Sequence, residues 1–411
     1  MTTTTSPADT HPTRARAVRL RSDLVTLRRT LHRIPELGND LPMTQQAVLV
    51  ALEGLDLEIT LGRELSSVTA VLRGRGATAG RGERRAVLLR GDMDALPVTE
   101  DLPLDYVSER TGLMHACGHD LHMAALVGAA RILHDLRDGL AGDVVFMFQP
   151  GEEGPGGAEL MVREGLLDAA GPRVEAAYAL HVTSSEFALG QWFARPGPLM
   201  AAADEVRVRV VGKGGHGSQP HRSLDPIPAA CEMVVGLQTR VTRAFDVFDP
   251  VVVTVGRIAG GTKENIIPDD AVFEATVRSL SREARAKVQR DIEQLVTGIA
   301  AAHGLDVEID YKLGYPVTVN DPAEYDVALE VVHDLFGAER YTEMPHPELG
   351  SEDMSFVFEE VPGAYLFVSA CPDADYANAP DNHSPRAHFD DSVLPDCAAW
   401  LAEVAMRRLA H

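Results

Sequence analysis

The 411-residue chain has few cysteines and few basic residues, and each shortage excludes a class of protein. Only 38 lysines and arginines accompany 61 aspartates and glutamates, and the resulting net charge of −23 would repel a phosphate backbone. We therefore expect no nucleic-acid partner. The cysteines also lack the regular spacing of a disulfide framework. They are Cys117, Cys231, Cys371 and Cys397.

Long apolar runs are absent as well. No segment supplies the ~18 apolar residues of a membrane span, and the N-terminal residues lack the apolar core of a signal peptide. These absences predict a cytoplasmic protein without a membrane partner. The chain is nevertheless 45% apolar. At this length it can bury large cores and is too long for one ordinary domain, so we expect two domains.

Short apolar runs alternate with helical patterns along the first half of the chain, which is typical of an α/β domain with a mostly parallel sheet and helices on both faces. A helix is expected over 14–34, where Pro35 ends it. Residues 1–13 are predicted to be disordered, and Gly74–Arg84 is predicted to be a flexible loop. The remaining elements are expected near 86–89, 119–136, 144–148 and 176–180.

From about residue 203 the pattern changes to strand, helix, two strands, helix and strand, the βαββαβ order of a ferredoxin-like domain. Helices over 322–336 and 352–358 and a strand over 364–368 then follow. We therefore predict a discontinuous catalytic domain interrupted by an inserted domain. The catalytic domain comprises residues 14–200 and 315–411, and the inserted domain residues 201–314.

Polar residues follow three of the predicted buried strands. Asp92 and Asp94 follow AVLLR, Glu152 and Glu153 follow VVFMFQP, and His181 follows AAYAL. Ligands bind beyond the carboxyl ends of strands in open parallel sheets, so these side chains should lie together. Any one of them could have a purely structural role, but their repeated occurrence at strand ends favours a functional site.

The segment HACGHDLH contributes further metal-binding side chains. Thiolate, imidazole and carboxylate are the groups that bind transition metals, and Cys117 and His119 with the Glu152–Glu153 pair supply all three. Taken alone, Cys117 could be a small core residue, His122 a satisfied helix histidine and Asp92 a turn former. Within the acidic pair, we assign Glu153 to the metal and Glu152 to general base catalysis, because a ligand cannot stay free for proton transfer.

The motifs together resemble the M20 metallopeptidase family, specifically its aminoacylase and hippurate hydrolase branch, which includes plant auxin-conjugate amidohydrolases. The resemblance runs from about Leu31 to His383. It is carried by GDMDALP, HACGHDLH, QPGEEGPGGA, the isolated His181, GGHGSQPH, ENIIP, TVRSL, GSEDMSF and the late His383.

The resemblance implies two divalent ions per subunit, zinc or manganese, with Cys117 bridging them in place of the aspartate of other branches. Glu152 matches the catalytic carboxylate and Asp94 the aspartate that orients the site. Asp92 stands where other branches have a metal-binding histidine. The implied ligands are Cys117, His119, Glu153, His181 and His383.

The inserted domain would then be the lid and dimerisation domain of a homodimer. His216 matches a histidine that stabilises the oxyanion at the scissile carbonyl. Asn265 and Arg278 match residues that hold the substrate carboxylate, a role that suits the forked donors of arginine. Residues 350–353 resemble a helix-start turn beside the site, with Ser351 as the N-cap.

The predicted function is therefore hydrolysis of the amide bond of a small-molecule substrate, an N-acyl amino acid or a related peptide-like compound. Carboxypeptidase or dipeptidase activity is the nearest alternative, and a catalytically inactive metal- or peptide-binding protein is another. Gly212–Gly217 also spells the dinucleotide-binding pattern GxGxxG. This signal is weak, because Pro226 and Pro228 interrupt the helix that should follow at once.

Overall fold

The computed structural model describes residues 11–77 and 84–410, and the chain divides into two compact units. The larger unit comprises Met1–Gly197, Val319–His346 and Phe356–His411. The smaller unit comprises Pro198–Thr318 and Pro347–Ser355. The second segment of the smaller unit falls within the range that the sequence assigns to the catalytic domain.

The helices and strands follow one another along the chain. The first segment of the larger unit contains α1 (Pro12–Arg33), α2 (Pro42–Leu52), β1 (Leu57–Leu61), β2 (Val68–Arg73), β3 (Ala86–Asp92), α3 (His119–Leu136), β4 (Asp143–Gln149), α4 (Gly157–Arg163), β5 (Ala176–Thr183) and β6 (Trp192–Ala194). Next come β7 (Gly197–Met200), β8 (Ala202–Val211), β9 (Gly215–His216), α5 (Pro226–Ala244), β10 (Val251–Gly260), β11 (Ile266–Ile267), β12 (Asp270–Ser279), α6 (Arg282–His303) and β13 (Asp306–Tyr315). The last elements are β14 (Thr318–Asn320), α7 (Pro322–Phe336), β15 (Tyr341–Glu343), α8 (Ser355–Phe358), β16 (Gly363–Ser369) and α9 (Leu394–Ala410).

The larger unit is built on a mixed sheet of order β1-β2-β4-β3-β5-β16-β6-β15. Its four central strands, β4, β3, β5 and β16, are mutually parallel. Every residue of β3, β4 and β16 is buried, which explains their continuous apolar character. The strands β1 and β2 extend the sheet in antiparallel register. The parallel centre is what gathers the ends of β3, β4 and β5.

A layer of three helices, α1, α3 and α9, packs together in the larger unit. Nearly all of α3 is buried, and alanines and Gly128 let it approach its neighbours closely. A Cβ at Gly128 would lie 2.8 Å from that of Ala398 in α9, so only glycine fits there. The helix α3 begins at His119 and thereby fixes the predicted metal-binding segment against a rigid support.

The smaller unit is an α+β domain whose antiparallel sheet has the order β10-β12-β8-β13. Burial alternates along β8, so Val206, Val208 and Val210 face the core while their neighbours face outwards. The N-cap of α6 is Ser281, whose hydroxyl accepts the Ala284 amide at 3.0 Å. Its C-cap, Gly304, has a φ of 68°. The βαββαβ order is the one that the sequence predicts.

Some sequence predictions differ from the structure. The helix α1 begins at Pro12, inside the range predicted to be disordered, whose residues 1–10 lie outside the described part of the chain. Residues 78–83 of the predicted loop 74–84 also lie outside it. The helix expected over 352–358 begins only at Ser355, so Ser351 is not its N-cap. The Glu352 carboxylate accepts the Met354 amide at 2.9 Å and forms a local turn there instead.

Within residues 11–77 and 84–410, none of the helices combines the length and the apolar character needed to cross a bilayer.

Candidate metal centre

The ends of three parallel strands bring the predicted site residues of the larger unit together. Asp92 is the last residue of β3, Glu152 and Glu153 follow the end of β4, and His181 lies in β5. Because β4, β3 and β5 are neighbours in the sheet, these side chains share one edge of it.

Asp94 links three of the site residues. Its Oδ1 accepts the backbone amide of Glu152 and its Oδ2 that of Glu153, both at 3.0 Å. Its backbone carbonyl lies 2.8 Å from Nδ1 of His119. An Nδ1–H donor to that carbonyl leaves Nε2 of His119 as a lone-pair donor. Asp94 thus contacts both residues of the acidic pair and one imidazole.

Cys117 lies between two histidines. Its Sγ is 3.3 Å from Nε2 of His181 and 3.2 Å from Nε2 of His383. The Nδ1 of His181 lies 2.8 Å from the Val182 carbonyl, which again leaves Nε2 as the lone-pair donor. Two imidazoles therefore point their Nε2 atoms at one thiol.

Glu153 and His119 complete the cluster. The Oε1 of Glu153 lies 3.3 Å from Nε2 of His383 and 3.9 Å from Nε2 of His119. The potential ligand atoms of Cys117, His119 and His181 all lie within 4.8 Å of one another, and so do those of Cys117, Glu153 and His383. Cys117 belongs to both groups.

His383 is held in an unusual backbone conformation, with a φ of 70°. A β-carbon makes this left-handed region unfavourable, and such residues concentrate at functional sites. Its amide donates to the Ala116 carbonyl at 2.9 Å. Its neighbour Asn382 donates from Nδ2 to the Val182 carbonyl at 3.1 Å and accepts the Ser184 amide at 2.9 Å. These contacts place the imidazole of a loop residue at the cluster.

The cluster favours positive charge at two of its histidines. The neighbouring Cys117 thiol and Glu153 carboxylate raise the pKa of His383 to about 10. Burial opposes protonation of His119, but Asp92 and other anionic neighbours outweigh it and raise the pKa well above the ordinary value. Desolvation, together with repulsion from His122, holds the pKa of His181 well below the ordinary value. A metal ion held here would take the place of these protons, because the anionic neighbours that stabilise positive charge on the histidines would also stabilise a cation.

The donor atoms fit a divalent metal. Nε2 of His119 and Oε1 of Glu153 are buried and have no hydrogen-bond partner. A buried polar atom without a partner is costly, and a metal ion at this position would satisfy both. The combination of thiol, imidazole and carboxylate is also the donor set that transition metals take.

His122 and Asp92 lie beside the cluster but are engaged elsewhere. Nδ1 of His122 lies 2.6 Å from Asp92 Oδ1, and its Nε2 accepts the Val182 amide at 2.9 Å. From the sequence, His122 could be a helix histidine whose hydrogen bonds are satisfied within the protein, and this interpretation agrees with the structure. Sequence reasoning missed Arg90, whose Nη1 lies 2.5 Å from Asp92 Oδ2. Its role could have been inferred from the sequence, because an arginine that follows the apolar run AVLL in a buried strand needs a buried partner.

The remaining predicted residues lie in the smaller unit. His216 is exposed in β9, which pairs with β11 so that Ile266 lies opposite it. Its Nδ1 accepts a hydrogen bond from the Ser218 amide at 3.2 Å. The Asn265 carbonyl accepts the Gly217 amide at 2.9 Å, so both residues belong to this ribbon. Arg278 lies in β12, half-buried, and its Nη1 has no hydrogen-bond partner. That free donor leaves it able to bind an anion.

The glycine-rich stretch after β8 does not form a dinucleotide loop. It continues into β9, and the next α-helix, α5, begins only at Pro226. The phosphate site of a dinucleotide fold requires the helix to start directly at this loop. The structure therefore removes the basis for a dinucleotide-binding site at this stretch.

Replacing Asp94 by asparagine should weaken the whole cluster. The asparagine side chain has one oxygen, which can accept only one of the two backbone N–H groups. Its NH2 group would face the other N–H, so that two donors would meet. We expect metal affinity to fall roughly 10- to 100-fold, the usual effect of losing an orienting partner. Titration of chelated protein with metal measures it, with exposed Asp101→Asn as the matched control. Equal affinity in Asp94→Asn and the parent would show that Asp94 does not orient the site.

Comparisons with known proteins agree with this geometry. Residues 88–407 match the model of peptidase family M20/M25/M40. The chain is 37% identical to the IAA-amino acid hydrolase ILR1-like 4 of Arabidopsis thaliana over 390 residues, covering 94% of this chain and 86% of that protein. It is 35% identical to the N-acetyl-L-cysteine deacetylase of Bacillus subtilis over 390 residues, covering 95% and 89%.

A comparison with solved structures also indicates the M20 family. A Bacillus subtilis protein described as a dinuclear metal binding peptidase of the M20 family superimposes with a TM-score of 0.80 at 30% identity, covering 96% of this chain and 99% of that one. Together with these relatives, the parallel-centred α/β unit and its cluster of thiol, imidazole and carboxylate groups place the protein among the metal-dependent hydrolases. This chain belongs to the M20 peptidase family, and it is a metal-dependent amidohydrolase.

Proposed function

We propose that the protein hydrolyses the amide bond of N-acyl amino acids, releasing a carboxylic acid and a free amino acid. The observation that carries the proposal is the cluster of donor atoms around Cys117, two of which, His119 Nε2 and Glu153 Oε1, are buried without a hydrogen-bond partner, with Glu152 beside them. The names of the plant hydrolase and the bacterial deacetylase support this substrate class, since both describe cleavage of an acylated amino acid.

Two divalent ions would be held by five residues, with Cys117 shared between them. A thiolate favours zinc, whereas carboxylate and imidazole also accept manganese, so both metals are candidates. Support for two positions comes from the two overlapping groups of donor atoms described above. The proposed ligands are Cys117, His119, Glu153, His181 and His383.

Glu152 acts as the general base. The bound metal supplies Lewis-acid polarisation of the amide carbonyl and lowers the pKa of water. Glu152 removes a proton from the attacking water and then delivers it to the leaving nitrogen, so that one carboxylate serves both halves of the reaction. Its side chain is only 8% exposed, and Asp94 holds its backbone amide. A buried base held in this way is oriented before the substrate arrives.

The smaller unit recognises the substrate in this proposal. Arg278 and Asn265 bind the carboxylate of the amino-acid part, and His216 stabilises the oxyanion that forms at the scissile carbonyl. The free Nη1 of Arg278 and the exposure of His216 support these roles. Closure of this unit as a lid would exclude water from the reaction.

Replacing His216 by alanine should therefore lower kcat and leave metal binding unchanged. Loss of one oxyanion donor costs roughly 10²- to 10³-fold in kcat. Steady-state kinetics on one N-acyl amino acid, with metal content measured in parallel, gives both quantities. The exposed His221→Ala variant is the control from the same loop region. A kcat near that of the parent would mean that His216 has no part in the lid.

We also propose a homodimer formed through the smaller unit. The strand β10 is an edge of its sheet, and an uncovered edge can pair with another chain. Phe248 just before it is 93% exposed and Val247 79% exposed, which is unusual for large apolar side chains. Light scattering should give twice the chain mass for the parent and a monomer for Phe248→Asp. A monomeric parent would contradict the proposal.

The substrate class is tested on protein stripped with a chelator and reloaded with zinc or manganese. Mass spectrometry follows a mixed panel of N-acyl amino acids and dipeptides. We expect release of free amino acid by the reloaded protein and none by the stripped protein, with the preferred acyl group identified in the same run.

Carboxypeptidase or dipeptidase activity is the second candidate, because the similar solved structure is described as a peptidase. Faster cleavage of the dipeptides than of every N-acyl amino acid would establish it instead. Metal binding without turnover of any amide would point to a binding protein and contradict the proposed function.

A further inference from the structure

We propose that Asp92 and His122 are positioning residues of the metal centre, which orient His181 by holding the peptide group that follows it. Neither would bind the metal. The inference rests on the proposed metal site, and it assigns a role to a buried network of side chains that the reaction itself does not use.

The network runs from β3 through α3 to β5. Arg90 donates from Nη1 to Asp92 Oδ2 at 2.5 Å and from Nε to Gln149 Oε1 at 2.8 Å. Asp92 Oδ1 lies 2.6 Å from Nδ1 of His122. All four residues of this network are at most 2% exposed: Arg90, Asp92, Gln149 and His122. Water therefore does not compete for these hydrogen bonds, and their geometry is well determined.

The hydrogen bonds fix the tautomer of His122. The Val182 amide can only donate, so Nε2 of His122 must accept it, at 2.9 Å. Nδ1 then carries the proton and donates to Asp92. Both ring nitrogens are used, so His122 has no lone pair left for a metal.

Val182 transmits this constraint to the cluster. Its amide is the peptide N–H directly after His181, and His122 holds it. Its carbonyl accepts from Nδ1 of His181 at 2.8 Å and from Asn382 at 3.1 Å. With both ends of this residue fixed, the His181 ring keeps its Nε2 directed at Cys117. A shift of the Val182 backbone would turn that ring away.

Arg90 explains why Asp92 serves as an anchor although it lies close to the ligands. Asp92 Oδ2 is 3.6 Å from Nε2 of His119, near enough to consider metal binding. The Nη1 of Arg90 lies much closer to the same oxygen, at 2.5 Å, and forms a buried ion pair with it. Asp92 is thus a charged acceptor satisfied by the protein itself.

The test compares His122→Leu, which removes both hydrogen bonds, with His122→Gln, whose amide can accept from Val182 and donate to Asp92. Dialysed protein is analysed for ions per chain, and the affinity for zinc is measured by competition with a chromophoric chelator. We expect the Leu variant to keep the ion count of the parent at saturation with roughly 10- to 100-fold weaker affinity. The Gln variant should recover much of that loss. His134→Leu, in the last turn of the same helix, is the control.

Other results would overturn the inference. A saturated His122→Leu protein that holds fewer ions than the parent would make His122 a ligand, and an unchanged affinity would deny it any role. If the Leu variant does not fold, Asp92→Asn decides in the same way: full ion count with weaker affinity supports positioning, and a lost ion makes Asp92 a ligand. Absence of metal from the parent itself would instead contradict the proposed function.

Discussion

Replacing Glu152 by glutamine should lower kcat by roughly 10²- to 10⁴-fold, the contribution of a positioned general base, while the bound metal stays in place. Glutamine keeps the size of the side chain, and its backbone amide can still donate to Asp94. It cannot accept a proton from water. Kinetics and metal analysis on the same preparation therefore separate chemistry from binding. Glu159→Gln, on the exposed face of α4, is the control.

The neighbouring residue makes the comparison sharper. Glu153 has a buried oxygen, Oε1, without a hydrogen-bond partner, and this oxygen lies 3.3 Å from Nε2 of His383. Glu153→Gln should therefore lose metal as well as activity. The ligand atoms of Glu152, Glu153 and His119 also lie within 4.8 Å of one another. If Glu152→Gln lost an ion and Glu153→Gln kept both, the assigned roles would be exchanged.

The convergence of Asp92, Glu152 and His181 could be predicted from the sequence, because parallel strands end at one edge and these strands are recognisable by their apolar runs. The position of His383 could not be derived from periodicity. It belongs to a loop, and its placement depends on a left-handed backbone, on its own contact with Ala116 and on the contact of its neighbour Asn382 with Val182. Ala116 and Val182 are both far from His383 in the sequence. Only the family resemblance indicated it.

Some elements were missed for physical reasons. The helix α9 is buried along most of its length, so its sequence lacks the long polar face that reveals a surface helix. The strand β1 lies at the edge of the large sheet, where it is mostly exposed and carries no buried apolar run. Before α8, the Glu352 side chain caps a turn that helical spacing alone does not reveal.

The network of Arg90, Asp92 and His122 shows that residue types alone do not distinguish a metal ligand from a residue that supports a ligand. Asp92, His119 and His122 have the spacing and chemistry of a metal site, and their ligand atoms do lie close together. Only the hydrogen-bond partners show that His122 is already saturated, since a tautomer follows from the donor that it faces. Distinguishing a ligand from its support therefore required the geometry.

Replacing Cys117 by alanine should weaken metal binding more than replacing an orienting residue does. Cys117 belongs to both of the donor groups described above, the one with His119 and His181 and the one with Glu153 and His383. Its Sγ lies within 3.3 Å of both His181 and His383, so its loss removes a donor from each group at once. We expect affinity to fall by more than the roughly 10- to 100-fold typical of an orienting residue, with turnover lost in parallel. Metal titration and kinetics measure both. Cys397→Ala, which removes a buried thiol from α9, controls for packing.

Cys117→Asp then tests whether the shared position is what matters. Other branches of the family place an aspartate there, and a carboxylate has two oxygens with which to bridge two ions. We expect this variant to regain the ion count of the parent, with a shift in preference from zinc towards manganese because the soft thiolate has been replaced by a hard oxygen donor. Cobalt-loaded protein gives an independent readout, since the thiolate-to-cobalt absorption should be present in the parent and absent from both variants. An alanine variant that binds metal as tightly as the parent would place the ions elsewhere, and the five-residue ligand set would have to be abandoned.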